Sequence, residues 1–199
     1  MALQESSSSS SATRLSLISR IRANDARAWQ DLVALYSPLV AHWCRKQSLR
    51  ESDINDIVQE VFFAVARSIE QYQPSEHGGS FRGWLWTVTR HKLIDFWRRE
   101  QRSPTVQGGS TAWQAVQQIP AELDEADESE RSAFGSLLHR ALEQVRDEFE
   151  SKTWQAFWRS TIDRIPVALV AAELSISPAT VRQHRSRILR RLRQQLEEP

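Results

Sequence analysis

The side chains best equipped to bind a ligand in this chain are arginines, and they concentrate in two stretches. Six arginines and no acidic residue fall between Arg182 and Arg193. Between Arg82 and Arg102 there are six basic residues and two acidic ones. A guanidinium group donates paired hydrogen bonds to phosphate oxygens and to the edge of guanine. Two such concentrations of positive charge, in a chain of net charge +1, indicate two nucleic-acid-binding modules.

A third stretch carries the opposite charge. Six acidic residues and no basic one fall within Glu122–Glu130, and prolines and glycines precede them. We expect residues 103–132 to be a linker between the basic modules, with a short helical segment around Trp113. The charge of this linker predicts one of two roles. It either imitates nucleic acid in a partner's positively charged channels or shields the basic faces of the free protein.

The composition excludes several classes of protein. With 199 residues the chain has room for one ordinary domain or two small ones, and 40% hydrophobic residues are enough for a core. A single cysteine, Cys44, excludes an intrachain disulfide framework and is expected in the core. There is no apolar run long enough to span a membrane. Residues 1–13 are serine-rich without the apolar segment of a signal peptide, so we expect a disordered leader and a cytoplasmic protein.

Neither charged region is expected to be catalytic. The acidic residues of the linker have no histidine nearby, and His91 has no neighbouring residue that would complete a metal site. We therefore predict no catalytic residue, no metal and no cofactor. The protein is not expected to be an enzyme.

Apolar residues recur at steps of three and four through most of the chain, which predicts an all-α fold without strands. The first module has such patterns over 29–44, 54–72 and 81–99. Expected N-caps are Asn24 or Asp25 for the first helix, Ser52 or Asp53 for the second and Ser80 for the third. Beyond the linker, the pattern resumes over 137–149 and 154–158.

The last pattern, over 166–196, is typical of a helix-turn-helix. Ser177 and Pro178 form a strong helix start, and the small residue Ala171 lies where two helices would cross closely. In the second helix, Val181, Ile188 and Leu192 fall on one side. The arginines therefore fall on the other side. Ser175 stands where such turns usually have glycine, and its positive φ is expected to cost about 1 kcal/mol.

Two motifs of the first module resemble region 2 of bacterial RNA polymerase sigma factors, in particular the extracytoplasmic-function (ECF) group. They are the segments 56–62 (DIVQEVF) and 81–99 (FRGWLWTVTRHKLIDFWRR). The C-terminal unit resembles region 4 of the same group. The resemblance implies two small helical domains joined by a flexible linker, region 2 over 14–102 and region 4 over 133–199. It also implies a factor that binds the clamp and flap of core RNA polymerase, opens the −10 promoter element and reads the −35 element.

The helix over 54–72 is where the resemblance puts the main polymerase contact. Phe63 lies about 100° around this helix from Phe62, so one apolar stripe cannot bury both. An exposed phenylalanine among polar residues is suited to a protein partner, although a wider core that includes Phe63 is an alternative. The predicted polymerase-binding residues are Asp53, Asp56, Gln59, Glu60 and Phe63.

The helix over 81–99 alternates aromatic and basic side chains, which suits stacking on separated bases and contact with phosphates. Trp84 and Trp97 are equally consistent with the core. His91 stands where the family usually has asparagine, and residues 73–80 resemble the family's loop that accepts a flipped base. The predicted −10 contacts are Trp84, Arg90, His91, Lys92, Arg98 and Arg99.

In the last helix, the N-terminal side chains of the arginine-rich face are expected on base edges and the later ones on phosphates. Arg185 is expected to extend over the edge of the core. The predicted −35 contacts are Arg182, Gln183, Ser186 and Arg187, with Arg190 and Arg193 on the backbone.

Two other classes of protein share some of these features. A stand-alone helix-turn-helix regulator would need a ligand pocket or dimerisation face in the first module. A recombinase or nuclease would need a nucleophile or clustered carboxylates. The two motifs, in order and with a linker between them, favour the sigma factor, for which the resemblance implies double- and single-stranded promoter DNA as partners and leaves room for an anti-sigma factor.

Overall fold

A computed structural model of the chain describes residues 16–73, 80–102, 109–124 and 127–196. The predicted leader over 1–13 and most of the predicted base-accepting loop lie outside these residues. Within them all regular secondary structure is helical, which confirms the all-α prediction. The elements are α1 Leu17–Arg22, α2 Ala26–Arg45, α3 Glu51–Ser68, α4 Phe81–Arg102, α5 Gly109–Gln118, α6 Glu128–Arg146, α7 Ser151–Phe157, a π-helical segment Trp158–Ile162, α8 Val167–Glu173 and α9 Pro178–Leu196.

Three of the four predicted helix starts are confirmed. The Asp25 side chain accepts hydrogen bonds from the first backbone N–H groups of α2, Ser80 from Gly83 and Ser177 from Thr180. The predicted start of α3 was wrong. The N-cap of this helix is Arg50, and its side chain makes no capping hydrogen bond. Asp53 lies inside the first turn of α3, where its charge favours the helix dipole, and accepts from Arg50 Nε at 2.8 Å.

The N-terminal half of the core lies between α2, α3 and α4. The predicted stripe of α3 is buried through Ile54, Ile57, Val61, Phe62 and Val65. Cys44 is fully buried, as predicted, and burial raises the pKa of its thiol to about 12, so it behaves as an apolar side chain.

The C-terminal half has the predicted helix-turn-helix in α8 and α9. Val170, Ala171 and Val181 are buried together where the two helices cross. Ser175 adopts φ 50° in the turn, as the sequence predicted for this position. The small side chain at position 171 lets the helices approach closely, which fixes the direction in which α9 projects.

The two halves pack on each other through α2 and α6. Arg140 Nε donates to the carbonyl of Leu35 at 3.2 Å, and Tyr36 Oη donates to the carbonyl of Leu196 at 2.8 Å. Helix α5 and the first residues of α6 fall within 103–132, the stretch predicted as a linker. Among the described residues, helices from both halves therefore share one large core cluster.

Candidate nucleic-acid and protein interfaces

The arginine-rich side of α9 is open to solvent. Val181, Ile188 and Leu192 are buried, and the opposite side of the helix is exposed at every predicted contact. These exposed residues are Arg182, Gln183, Ser186, Arg187, Arg190 and Arg193. The structure therefore brings the predicted −35 residues together on one accessible helix face, preceded by a hydrogen-bonded N-cap.

One of these arginines has a partner that the sequence did not indicate. The guanidinium carbon of Arg187 lies 5.6 Å from the centre of the Phe149 ring, which belongs to the loop between α6 and α7. This is cation–π distance, and the contact restricts the rotamers of a side chain predicted to reach a base edge.

Arg191 is the buried arginine of α9 and lies against the core, a position that the sequence did not indicate. Arg185 is exposed, whereas Arg191 is 6% exposed and donates to both carboxylate oxygens of Glu148 at 2.8 Å. Next to this pair, Gln195 donates to Gln144 at 2.8 Å. The C-terminal half of α9 is buried over a wider arc than the N-terminal half, because α1 and α6 pack against it.

Helix α3 presents an exposed stripe formed by Asp56, Gln59 and Phe63. The Phe63 side chain is 68% exposed, whereas Phe62 is buried with its ring edge-on to Trp29, the centroids 6.3 Å apart. The predicted exposure of Phe63 is confirmed, and the alternative of a wider core is wrong. A large apolar side chain that remains in water offers apolar surface to a partner.

The other two predicted polymerase-binding residues, Glu60 and Asp53, form ion pairs within the chain. Glu60 accepts a hydrogen bond from Arg99 at 3.0 Å and lies 3.8 Å from Lys92 Nζ. Asp53 is paired with Arg50. Glu60 therefore lies between the predicted polymerase face of α3 and the predicted DNA face of α4.

Helix α4 holds its predicted DNA-binding residues in mixed environments. His91, Arg98 and Arg99 are exposed, whereas the other three are partly buried. Trp84 contacts the core ring of Phe81, with centroids 5.4 Å apart. The six residues thus share one helix but do not form one open surface.

The basic side chains of α4 also have partners within the chain. Besides the ion pairs with Glu60, Arg98 lies 3.9 Å from Asp95. Arg90 Nε donates to the carbonyl of Pro120 at 3.0 Å. DNA that bound this face would therefore have to exchange these contacts for phosphates or bases.

Two acidic side chains at the end of the acidic stretch contact α2. Lys46 Nζ lies 2.6 Å from Asp127 and 3.1 Å from Glu130. Glu130 is 3% exposed, and it also accepts from Trp43 Nε1 at 3.0 Å and lies 3.5 Å from His42 Nε2. The hydrogen bond from Lys46 and the N–H of Ser129 lower the pKa of Asp127 to about 2. Desolvation would lower the pKa of Lys46, but hydrogen bonds to both carboxylates raise it instead.

Two further observations concern metal binding and the crossing of a membrane. Across the described ranges, no group of three or more His, Cys, Asp or Glu side chains is placed to hold a metal ion. None of the helices in the described part of the chain is long and apolar enough to cross a lipid bilayer.

In the described ranges, the fold and these surfaces define an all-helical protein of the helix-turn-helix class, with a second basic helix in its N-terminal half. Residues 32–103 match the family model of sigma-70 region 2. That match covers α3, α4 and most of α2.

Similar proteins extend the likeness over more of the chain. The ECF RNA polymerase sigma factor SigE of Mycolicibacterium smegmatis is 30% identical over 80% of this chain and 59% of its own length. SigF of Caulobacter vibrioides, another ECF sigma factor, is 34% identical over 47% of this chain and 52% of its own. The sigma factor CnrH of Cupriavidus metallidurans is 28% identical over 41% of both. A solved structure of CnrH in complex with the cytosolic domain of CnrY aligns with 88% of this chain and 92% of its own, at 18% identity and a TM-score of 0.36.

Residues 32–103 therefore belong to the sigma-70 region 2 family, and the chain is similar to RNA polymerase sigma factors, two of them of the ECF group. It spans between about two fifths and three fifths of the length of these relatives.

Proposed function

We propose that this chain is a sigma factor that binds core RNA polymerase and directs it to specific promoters. The observation that carries the proposal is the 68% exposed Phe63, in the middle of an otherwise polar stripe of the matched region 2. A helix-turn-helix protein that acts on DNA alone has no need for such a contact. An apolar anchor within a polar rim is typical of a protein–protein hot spot.

In the proposed complex, α3 contacts the polymerase clamp through Asp53, Asp56, Gln59, Glu60 and Phe63, and the C-terminal module contacts the flap. The flap and clamp assignments follow from the family. Glu60 is expected to contribute less than Phe63, because its carboxylate is already paired with Arg99 and Lys92.

Promoter recognition is divided between α9 and α4. The open face of α9 supports entry into the major groove of the −35 element, with Arg182, Gln183, Ser186 and Arg187 on base edges and Arg190 on phosphate. The aromatic and basic side chains of α4 support contact with the opened −10 element. The proposed −10 contacts remain Trp84, Arg90, His91, Lys92, Arg98 and Arg99.

This function requires no catalysis, metal or cofactor from the chain, because the polymerase carries out RNA synthesis. It also locates the protein in the cytoplasm, where bacterial polymerase and chromosomal DNA are found. The anti-sigma factor implied by the family is likewise a prediction.

The test is run-off transcription by core polymerase on a library of promoter sequences, with and without the purified chain. The proposal expects transcripts from a subset of promoters that share a −10 and a −35 element. A chain that binds one of these DNAs but neither pulls down polymerase nor yields transcripts would instead be a stand-alone helix-turn-helix regulator.

A further inference from the structure

One short connection holds two arginines of α9 that lie one helical turn apart. The connection comprises residues 147–150, between the end of α6 and the start of α7. Its Glu148 accepts two hydrogen bonds of 2.8 Å from the buried Arg191. The centre of its Phe149 ring lies 5.6 Å from the guanidinium carbon of the exposed Arg187. Side chains four positions apart lie on the same side of a helix, so the ion pair keeps α9 where Arg187 meets the ring.

The Phe149 ring is well supported from beneath. The backbone N–H of Phe149 donates to the carbonyl of Arg146 at 3.1 Å, which closes a turn at the end of α6. The ring stacks on Trp154 with centroids 6.5 Å apart and 30° between the planes. Trp154 in turn contacts Phe157, which is 1% exposed, with centroids 5.7 Å apart. Phe149 is therefore the outer end of a row of aromatic rings that reaches into the core.

An aromatic ring restrains a guanidinium group without using up its hydrogen-bond donors. The attraction is between the positive charge and the face of the ring. The N–H donors lie in the plane of the guanidinium and remain available to a base edge. Glu148, by contrast, engages Arg191 through those donors. Phe149 thus positions Arg187 and leaves its hydrogen bonds for DNA.

Such a restraint bears on the sequence that is read more than on DNA binding in general. A long, flexible arginine side chain loses rotamer freedom when it docks, and a side chain already held in place loses less. Discrimination between bases needs paired hydrogen bonds to one base edge in a fixed orientation. Attraction to the phosphate backbone needs only the positive charge nearby.

We propose that Phe149 is a positioning residue that determines specificity, because it holds Arg187 in the orientation that reads one base pair of the −35 element. The inference rests on the proposed function of α9, and it adds a residue outside the helix-turn-helix to the readout. Phe149 acts through Arg187 and needs no contact of its own with DNA. A ring that drew Arg187 away from the groove would have the opposite effect on affinity.

The test compares Phe149→Leu with Phe149→Tyr in the full chain. Leucine keeps an apolar side chain without a ring, whereas tyrosine keeps the ring. Binding is measured across a salt series to the duplex that the wild type selects from a random library, to single-base variants of that duplex and to random DNA.

Phe149→Leu should weaken binding to the selected duplex by about twofold to fivefold, the range of an exposed cation–π contact. It should relax discrimination at the same base pair as Arg187→Ala does, and in an Arg187→Ala background it should have no further effect on discrimination. Binding to random DNA and the salt slope should not change, because the charge of Arg187 is kept. Phe149→Tyr should match the wild type.

Three results for Phe149→Leu would overturn this role. They are unchanged discrimination, equal weakening on selected and random DNA, and tighter binding to the selected duplex. If Phe149→Leu does not fold, Phe149→Met takes its place, since methionine fills a similar space without a ring, with the same outcomes expected.

Run-off transcription by the wild type separates the two proposals. The positioning role fails alone if transcripts appear while Phe149→Leu keeps the wild-type discrimination. The sigma function fails alone if Phe149→Leu relaxes discrimination as expected while the wild type yields no transcripts with core polymerase.

Discussion

Phe62 and Phe63 are adjacent residues of α3 in opposite environments, one in the core and one 68% exposed. A phenylalanine in water gives up the free energy of burial, so its presence there is best explained by a partner. The neighbouring Asp56 and Gln59 are polar and exposed, which gives the anchor the rim that excludes water at a hot spot.

Phe63→Ala should weaken binding to core polymerase by roughly 1–3 kcal/mol, with little change in melting temperature. The matched variant Phe62→Ala should instead destabilise the fold by about 3–5 kcal/mol, because it leaves a cavity in the core. Polymerase affinity and thermal unfolding of both variants are the measurements. A Phe63→Ala protein that melts early and still binds polymerase as tightly as the wild type would contradict this assignment.

The pair formed by Arg191 and Glu148 is structural. Their side chains are 7% and 20% exposed, and both guanidinium–carboxylate hydrogen bonds are 2.8 Å long. Removing Arg191 leaves the partly buried carboxylate of Glu148 without these two hydrogen bonds. Arg191→Ala should therefore lower the free energy of unfolding by about 3–5 kcal/mol, measured in urea. Arg190→Ala, one residue away and exposed, should stay within about 0.5 kcal/mol of the wild type.

The exposed arginines of α9 are expected to divide between base edges and phosphates. Arg190→Ala should weaken binding to every DNA about equally and lower the salt slope by about one. Arg182→Ala or Arg187→Ala should cost about 1–3 kcal/mol on the preferred −35 element and much less on random DNA. Binding of the full chain to both DNAs across a salt series distinguishes these effects. The assumed phase of α9 is incorrect if Arg190→Ala alone alters the preferred sequence.

Helical phase predicted the exposure of Phe63 and the open face of α9, since both follow from positions around one helix. It did not predict Arg191 with Glu148 or Lys46 with Glu130, because these partners are 43 and 84 residues apart in the chain. The period of a helix tells which side faces inward, but it carries no information on which neighbour lies there. The pairing of these charged side chains could therefore not be predicted from the sequence.

At the scale of single elements, caps were predictable wherever a short polar side chain preceded an apolar pattern, as at Asp25, Ser80 and Ser177. The start of α3 was not, because Ser52 and Asp53 offered two plausible caps and the chain uses neither. Helix α5 was expected only as a short segment within a linker. Its packing on α4 depends on tertiary contacts such as that of Ile119, which a local pattern does not contain.

Substitutions of two serines in the turn between α8 and α9 are expected to change the stability of the protein in opposite directions. Ser175 has φ 50°, a conformation that costs a side-chain-bearing residue about 1 kcal/mol, so Ser175→Gly should stabilise the protein by roughly 0.5–1 kcal/mol. Ser177→Ala should destabilise it by about 1 kcal/mol, because it removes the cap hydrogen bond to Thr180. Urea unfolding of both variants measures the effects, and equal shifts of the same sign would contradict the turn geometry.

At the scale of the whole molecule, the two modules are joined by groups that no sequence pattern reveals. Arg140 and Gln144 of α6 donate to backbone carbonyls of α2, at Leu35 and Asp31. Backbone acceptors are present at every position, so composition and spacing cannot indicate which ones a distant helix will meet. The predicted domain boundaries consequently said nothing about how the halves would pack.

The charges at this junction predict how its stability responds to acid. Lys46 and the N–H of Ser129 hold the pKa of Asp127 at about 2, below the ordinary value of 3.8. A carboxyl with a depressed pKa in the folded state contributes stability above its unfolded pKa and loses it as the pH falls through the folded one. Asp127 should therefore stabilise the protein above about pH 4 and cease to do so near pH 2.

Asp127→Asn isolates this contribution, because asparagine is an equally good N-cap and only the charge is removed. Above pH 5 the variant should be less stable than the wild type by a constant amount, and the two unfolding curves should converge as the pH falls from about 4 to 2. Carboxylates that do not share Lys46 with Asp127 titrate identically in both proteins and cancel in the difference. One of them is Asp25, whose pKa is lowered mainly by a hydrogen bond from Arg20. Glu128→Gln, which removes an exposed charge one residue further on, should show no such convergence. A gap between wild type and Asp127→Asn that persists unchanged to pH 2 would mean that the charge of Asp127 does not join the modules.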